Sequence, residues 1–423
     1  MTTRTLPPMF ADRHVLRVVA ARFISRVGGE AAFFVGIWGK AAFELEADAG
    51  DIALVMAALG ISSLIGTSIA GLLVDRFDPR RVLIGAEFVF VPVMIGMVFA
   101  DTLPALTVMV FFVGLVGAPV FTAISSFGPY LTDNPDRLGQ VNGYIEGASW
   151  SAFVVGPAVG AVLAGTIGVD SIFVLDAATS VLAAILVFGV TVRQLRTSEE
   201  RGGGFSELKD GFKFTYGHRR LRFYILLGST VWIMFGTFSS LEALFFRDIL
   251  GVEIETLGWV NSIFGLGLVG GTWVASRLPS KYRTAHTLAI VVALTGLGSL
   301  LYVGTDRLGI VIGAGVVWGS IIGMMAPLHR TLIQLNSPDE YVGRIAGVTH
   351  IHSEVGHLMP LAIAPPLAAA FGIQPTLIAA GLLVALVAVA ALPAASRLDR
   401  TRTVEVPPTG LPDPLDEPKS VSH

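Results

Sequence analysis

Apolar residues run along this chain in long, unalternating stretches separated by short polar segments. A helix that crosses a bilayer needs roughly 20 mostly apolar residues. Twelve stretches meet that length: 16–39, 52–74, 82–100, 104–127, 141–165, 170–192, 222–246, 256–276, 284–304, 308–329, 344–370 and 374–393. Backbone polar groups in hydrocarbon must be satisfied internally, which leaves helices or closed barrels. Barrel strands alternate apolar and polar residues, and these runs do not. The pattern predicts an all-α membrane protein of twelve transmembrane helices.

Composition agrees with that class. Of 423 residues, 53% are hydrophobic and only 14% charged, where a soluble domain carries roughly a quarter. The net charge of −3 offers nothing to nucleic acid. The chain has no cysteine, which excludes disulfides and thiolate metal sites. Its start is polar, and the first apolar stretch lacks a small-residue cleavage site. A retained first helix is therefore expected, not a signal peptide.

Basic residues orient the spans. With twelve spans both termini share a side, and that side collects 24 Lys and Arg against 3 on the other (Lys40, Arg247 and Arg307). The remaining two, Arg22 and Arg26, lie within the first span. The imbalance predicts cytoplasmic termini and a multi-pass protein of a bacterial inner membrane.

The longest connection, 193–221, divides the spans six and six. The expected organisation is an N-terminal six-helix bundle over 1–192, a cytoplasmic linker over 193–221, a C-terminal bundle over 222–393 and a disordered tail over 394–423. Within the linker, Phe205–Tyr216 has the pattern of an amphipathic helix lying on the membrane surface. The halves echo each other at Glu30-Ala-Ala-Phe-Phe and Glu242-Ala-Leu-Phe-Phe, and at Leu138-Gly-Gln-Val-Asn-Gly and Val342-Gly-Arg-Ile-Ala-Gly. Parallel six-helix repeats are one plan for a transporter.

The strongest local motif is Gly71-Leu-Leu-Val-Asp75-Arg76-Phe-Asp-Pro-Arg80-Arg81, at the turn after the second span. Gly71 would let a neighbouring helix come close, Asp75 suits the positive end of another helix, and the arginines hold the turn in the cytoplasm. In the fifth span Gly143, Gly147, Gly156, Pro157 and Gly160 give a small-residue face, with Pro157 bending the helix.

The first motif resembles the 2–3 loop signature of the major facilitator superfamily, with Asp78 and Pro79 departing from its glycine and basic residue. The resemblance implies that Gly71, Asp75, Arg76 and Arg80 form a conformational switch, Asp75 latching the second helix to the eleventh. Gly147, Gly156, Pro157 and Gly160 resemble the fifth-helix motif of drug–proton antiporters in that superfamily. Together with Gly114-Leu-Val-Gly-Ala-Pro119, Leu138-Gly-Gln-Val-Asn142 and Phe173-Val-Leu-Asp176-Ala-Ala-Thr, they look like the branch holding macrolide, Tap-type multidrug and enterobactin exporters. The fourth span has no arginine, unlike many antiporters outside that branch. The resemblance implies efflux of amphipathic compounds in exchange for protons.

Ionisable residues inside a membrane are costly, so each is a functional candidate. Glu30 leads, near the middle of the first span. Arg22, Arg26 and Glu30 follow one another at i+4 on one helix face, and an Arg26–Glu30 pair would tie protonation of Glu30 to whatever competes for Arg26. A static ion pair is the alternative reading. Glu146 lies one turn into the fifth span beside Asn142, either lining the inner cavity or fixing a packing contact. Glu242 is expected at the interface, Glu87 is expected to snorkel, and Asp176 is expected to make a local polar contact. In the eleventh span His350, Glu354 and His357 share a face, with His352 pointing elsewhere. That cluster reads as a proton relay, a divalent-metal site or interhelical hydrogen bonding; no metal or cofactor is assigned. Trp150, Phe33, Asn142 and His357 are candidates to line a substrate cavity.

The reading is a proton-coupled secondary transporter that exports amphipathic small molecules, with Glu30, Arg26, Glu146, His350 and Glu354 as coupling candidates. Its partners are protons, lipids and the substrate, and it acts as a monomer. A metabolite or siderophore transporter of the same fold, or a non-transporting membrane sensor, is the alternative. No nucleophile–base pair marks an enzyme.

Overall fold

The computed structural model describes residues 12–132, 134–191 and 204–401. Side chains of Asp75, Ser125, Pro135, Asp136, Asp339, Thr401 and residues 204–208 are outside that description, as is most of the expected tail. The described chain is helical throughout. The helices are α1 (Arg13–Ala31), α2 (Ala49–Arg76), α3 (Pro79–Val98), α4 (Leu103–Ser125), α5 (Pro135–Thr166) and α6 (Asp170–Phe188). A linker helix (Gly204–Gly217) leads to α7 (Arg219–Leu244), α8 (Ile254–Ser276), α9 (Ala285–Val303), α10 (Leu308–Leu335), α11 (Val342–Phe371) and α12 (Ile373–Thr401).

Among the described residues, eleven helices are long and apolar enough to cross a membrane. The chain is an integral, multi-pass membrane protein. The helix outside that set is α1, because Arg22, Arg26 and Glu30 dilute its hydropathy. It continues through π-helical turns Ala32–Ile37 and Gly39–Glu44, which accommodate Phe33, Phe34 and Trp38. Capping fixes several starts: Asp12 accepts from His14 and Val15 ahead of α1, and Asp48 and Asp51 form a reciprocal capping box on α2. Eleven of the expected spans coincide with these helices, with ends that differ by up to eight residues. The last runs past 393 to Thr401, so the first part of the expected tail is helix.

Packing groups the helices six and six. In the first group α2 lies on α4, α1 on α5 and α6, and α3 on α6. In the second, α8 lies on α10, α9 on α12 and α7 on α11. The groups meet through α5 against α8 and α2 against α11. Glycines set these distances. A Cβ on Gly258 would lie 2.8 Å from the Pro157 carbonyl oxygen, 2.8 Å from Val35 Cγ2 and 2.9 Å from Ala161 Cβ. Ser262 donates to the Val154 carbonyl beside it.

Helix ends define two faces. On one, which we call the basic face, Arg17 donates to the Gly189 carbonyl at 2.5 Å, Arg80 to the Phe188 carbonyl, and Asp399 caps the start of α9 at 2.9 Å. On the opposite face Lys40 is 1% exposed. Its ammonium binds Asp170 at 2.8 Å and the Met97 and Val98 carbonyls at 3.0 and 2.9 Å, which satisfies the last carbonyls of α3. Arg247 reaches across the two groups to the Ala42 and Ala47 carbonyls at 2.5 and 3.1 Å.

The linker forms the helix expected within it, over Gly204–Gly217. It docks on α11: Gly211 rests against Arg344, Phe214 stacks on Tyr341 at 4.1 Å, and Tyr216 shares a 2.7 Å hydrogen bond with His352.

Candidate functional site

Between the two groups lies a cavity of about 380 Å³. From α1 and its π-turns come Phe33, Phe34 and Trp38, and from α5 Trp150 and Phe153. The other group supplies Trp232, Phe235, Phe238, Ser239 and Glu242 (α7), Asn261 and Phe264 (α8), Trp318 and Met325 (α10) and His357 (α11). The aromatic rings hold each other: Phe34 meets Phe153 edge-on at 5.3 Å, and Trp318 lies 4.9 Å from Phe238 and 5.3 Å from Phe264. Such contacts fix large apolar surfaces at low entropic cost.

Polar groups in this chamber are few. Glu242 is the one carboxyl among the lining residues, and Tyr302 donates to its Oε1 at 2.7 Å. Trp38 Nε1, Trp318 Nε1 and His357 Nδ1 are buried with no hydrogen-bond partner. A buried donor without a partner is costly, so these groups are suited to a ligand's polar atoms. Glu242 is therefore no interfacial residue. The π-helical turn Phe245–Ile249 carries α7 further than the expected span, and Arg247 pins that end to the other group.

The chamber is sealed on the opposite face and splayed on the basic face. The α5–α8 contact runs from Gly165 against Glu255, through Gly258 against Pro157, to Gly265 against Val154. Nearer the basic face, Cβ atoms on Gly139, Gly143, Gly147 and Gly270 would meet nothing within 4 Å, and Asn142, Glu146 and Trp150 are exposed.

The predicted residues divide accordingly. Phe33, Trp150 and His357 line the chamber. Asn142 does not: it packs against Gly128, on the helical turn Gly128–Leu131. The expected small-residue face of α5 is two surfaces. Gly156 and Gly160 seat α1, where Cβ atoms would crowd Glu30 and Val35, while Gly143 and Gly147 face open space. Gly71 has no neighbour within 4 Å of a Cβ, so no helix closes on it here. Arg76 is exposed, Arg80 also lies 5.4 Å over the Phe188 ring, and the side chain of Asp75 falls outside the described residues.

Glu30 is 4% exposed and ion-pairs with Arg26 at 2.5 Å. It is not in the chamber wall. It sits in the seam between α1 and α5, backed by Gly156. The histidine cluster disperses: His350 faces Glu354 at 3.9 Å, His352 turns to Tyr216, and His357 turns into the chamber beside Trp232. The sequence reading missed how deeply Glu87 and Asp176 are buried. Ser25 of α1 donates to Glu87 at 3.0 Å, so the side chain turns inward and does not snorkel. The local contact expected for Asp176 is with Thr179, at 3.4 Å.

The sequence profile of the Major Facilitator Superfamily matches residues 18–359. The chain belongs to the major facilitator superfamily. It is 26% identical over 381 residues to the multidrug efflux pump Tap of Mycobacterium tuberculosis, covering 84% of this chain and 88% of that protein. It is 25% identical over 309 residues to the macrolide efflux protein A of Enterococcus faecalis, covering 69% and 91%. An MFS-type transporter of Bacillus subtilis, YfiS, is 22% identical over 396 residues, covering 90% and 93%. Among solved structures, the nucleoside transporter NupG superposes with a TM-score of 0.72 at 10% identity, over 90% of this chain and 99% of that one. A bacterial homologue of the lysosomal transporter Spinster, inward-facing and unoccupied, gives 0.70 at 13% identity, over 93% and 98%. At such identities the likeness is one of fold. This member of the superfamily is a transporter and not an enzyme.

Proposed function

We propose that this chain exports amphipathic, preferentially cationic small molecules across a bacterial inner membrane in exchange for protons. The observation that carries the reading is the chamber between the two helix groups, walled by aromatic rings and holding the single carboxyl of Glu242. Aromatic faces and a desolvated carboxylate together favour a lipophilic cation. The multidrug and macrolide exporters to which the chain is similar support the outward direction.

In this reading the chain has twelve spans, α1 completing the set, and the basic face is cytoplasmic. Residues 1–192 and 222–401 are two rocking bundles, joined by 193–221 and followed by a tail. The chamber then faces the cytoplasm, ready to load. The Arg26–Glu30 pair couples protons to movement. Protonation of Glu30 releases Arg26 and loosens the α1–α5 seam at Gly156, on which the chamber residues Phe33, Phe34 and Trp150 are mounted. Glu146, exposed on α5 and within electrostatic reach of Arg22, connects this seam to cytoplasmic water. His350 and Glu354 stand on the same side as groups on the access route. The turn from Gly71 to Arg80 closes against the second bundle when the cytoplasmic side seals.

The test is transport into proteoliposomes carrying an imposed pH gradient, followed with a lipophilic cationic dye. The parent protein accumulates dye against its gradient and stops when an ionophore collapses the pH difference. Glu30→Gln binds dye but no longer responds to the gradient. Gradient-driven accumulation by Glu30→Gln at the parent rate would remove Glu30 from the coupling role.

A further inference from the structure

The first helix group encloses a second cavity, about 110 Å³ in volume, that shares no lining residue with the aromatic chamber. Helices α1, α3, α4 and α6 wall it, with Arg22, Ser25, Arg26, Glu87 and Asp176 as its polar lining. Glu87 and Asp176 are each 1% exposed. Each carboxyl has one oxygen in hydrogen-bond geometry with a hydroxyl, and the buried Ser180 hydroxyl lies near Glu87 without completing such a bond. Ser25 donates to Glu87 Oε1 at 3.0 Å. Thr179 divides its hydrogen between the Asp176 carbonyl at 2.9 Å and Oδ1 at 3.4 Å. The other oxygens, Glu87 Oε2 and Asp176 Oδ2, are buried with no hydrogen-bond partner. Gly28 permits this arrangement, because a Cβ there would overlap Thr179 and Asp176.

The surrounding charges can be counted. Arg22, Arg26 and Glu30 face the site from α1, Glu87 from α3 and Asp176 from α6, while Glu146 on α5 acts on Arg22 from its exposed position. The set is three buried carboxyls, the buried guanidinium of Arg22 and the partly exposed guanidinium of Arg26. Arg26 is engaged by Glu30 at 2.5 Å. Arg22 spends Nε on Ser149 at 2.7 Å and lies 5.0 Å over the Phe121 ring. Neither Glu87 nor Asp176 has a cation within ion-pair distance among the described residues. Two buried carboxylates of like charge on one small cavity, each with an unserved oxygen, are an expensive arrangement. One proton held on either carboxyl removes the unpaired charge and supplies a missing donor.

We propose that Glu87 and Asp176 form a proton-holding site inside the first helix group, separate from the Arg26–Glu30 pair and away from the substrate chamber. Its use in transport rests on the proton-coupled reading above; its occupancy rests on the cavity alone. Arg26 borders both sites. When Glu30 takes a proton, Arg26 is freed to neutralise Asp176 or Glu87, and the proton held there leaves. One proton enters at Glu30 and one departs from the α3–α6 pair, so charge is conserved at each step.

Infrared spectroscopy of the purified, detergent-solubilised protein tests this without any transport. A protonated carboxyl has its own C=O stretch, distinct from carboxylate and side-chain amide bands and shifted in D2O. The full-length protein at neutral pH shows that band. Glu87→Gln with Asp176→Asn together abolish it while Glu30 remains. Ser25→Ala, which removes only the hydroxyl on Glu87, moves its frequency and keeps the reading testable if the double variant does not fold. A band that persists in the double variant, or that Ser25→Ala leaves unmoved, overturns the assignment. Loss of gradient-driven dye transport with the band intact would instead count against the coupling reading and leave the proton site standing.

Discussion

Gly258→Val cuts transport sharply. A Cβ at this position already lies 2.8 Å from the backbone oxygen of Pro157, and a carbonyl in a helix cannot rotate aside as a side chain can. The two γ-carbons of valine reach further into the same wall, formed by Pro157, Val35 and Ala161. Overpacking of this kind costs about 3 kcal/mol, which tilts a two-state equilibrium by about a hundredfold. The seal on the opposite face, made by this contact together with Ser262 on Val154 and Arg247 on Ala42, no longer forms. The chamber is then held open on that side, and export falls by at least about tenfold. Because the chain has no cysteine, a single Ser239→Cys in the chamber wall reports the change cleanly. In the Gly258→Val background it gains reactivity towards a membrane-impermeant thiol reagent added from outside. Unchanged transport with unchanged labelling would mean that the α5–α8 contact is not a moving seal.

Glu242→Gln separates charged from neutral substrates. The carboxyl sits among aromatic rings with Tyr302 as a hydrogen-bond donor, so water does little to screen it. Exchanging it for an amide keeps the shape and the acceptor for Tyr302 and removes the charge. A permanently cationic dye loses affinity by about tenfold, the equivalent of about 1.4 kcal/mol. A neutral compound of the same outline is transported as before. Tyr302→Phe has a smaller effect of the same sign, since the carboxylate loses the hydrogen bond that orients and stabilises it. The comparison is made on the concentration dependence of initial rates. Equal loss for both compounds would make Glu242 a packing residue and leave the substrate preference to the aromatic walls.

Much of the architecture was legible because hydrocarbon leaves few options. Runs of 20 or so apolar residues have to be helices, and helix ends could be anticipated only roughly because caps such as Asp48 and Asp78 lie just outside the apolar runs. Glu30 and Arg26 were legible as a pair from their spacing alone, since i and i+4 meet on any helix. What lay across helices was not. The reading of Glu87 as a snorkelling group failed because its partner, Ser25, is 62 residues away in sequence. Glu242 was misplaced because π-helical turns lengthen α7 beyond the apolar run. The histidines of α11 have the spacing of a site, yet each turns to a different neighbour. The glycines of α5 serve two purposes because nine residues, two and a half turns, separate Gly147 from Gly156, so the two pairs lie on opposite sides of the helix and only Gly156 and Gly160 face α1.

Transport in the proposed cycle requires the two helix groups to rock about the aromatic chamber so that one face opens as the other seals. Paired spin labels measure this directly, and the cysteine-free chain accepts them only where they are placed. One pair sits on the splayed face, at Gly143 of α5 and Gly270 of α8; the other sits on the sealed face, at Thr166 and Val252. Lowering the pH in the presence of a lipophilic cation shortens the first distance and lengthens the second in the same sample. Two distances that stay fixed, or that lengthen and shorten together, would contradict it.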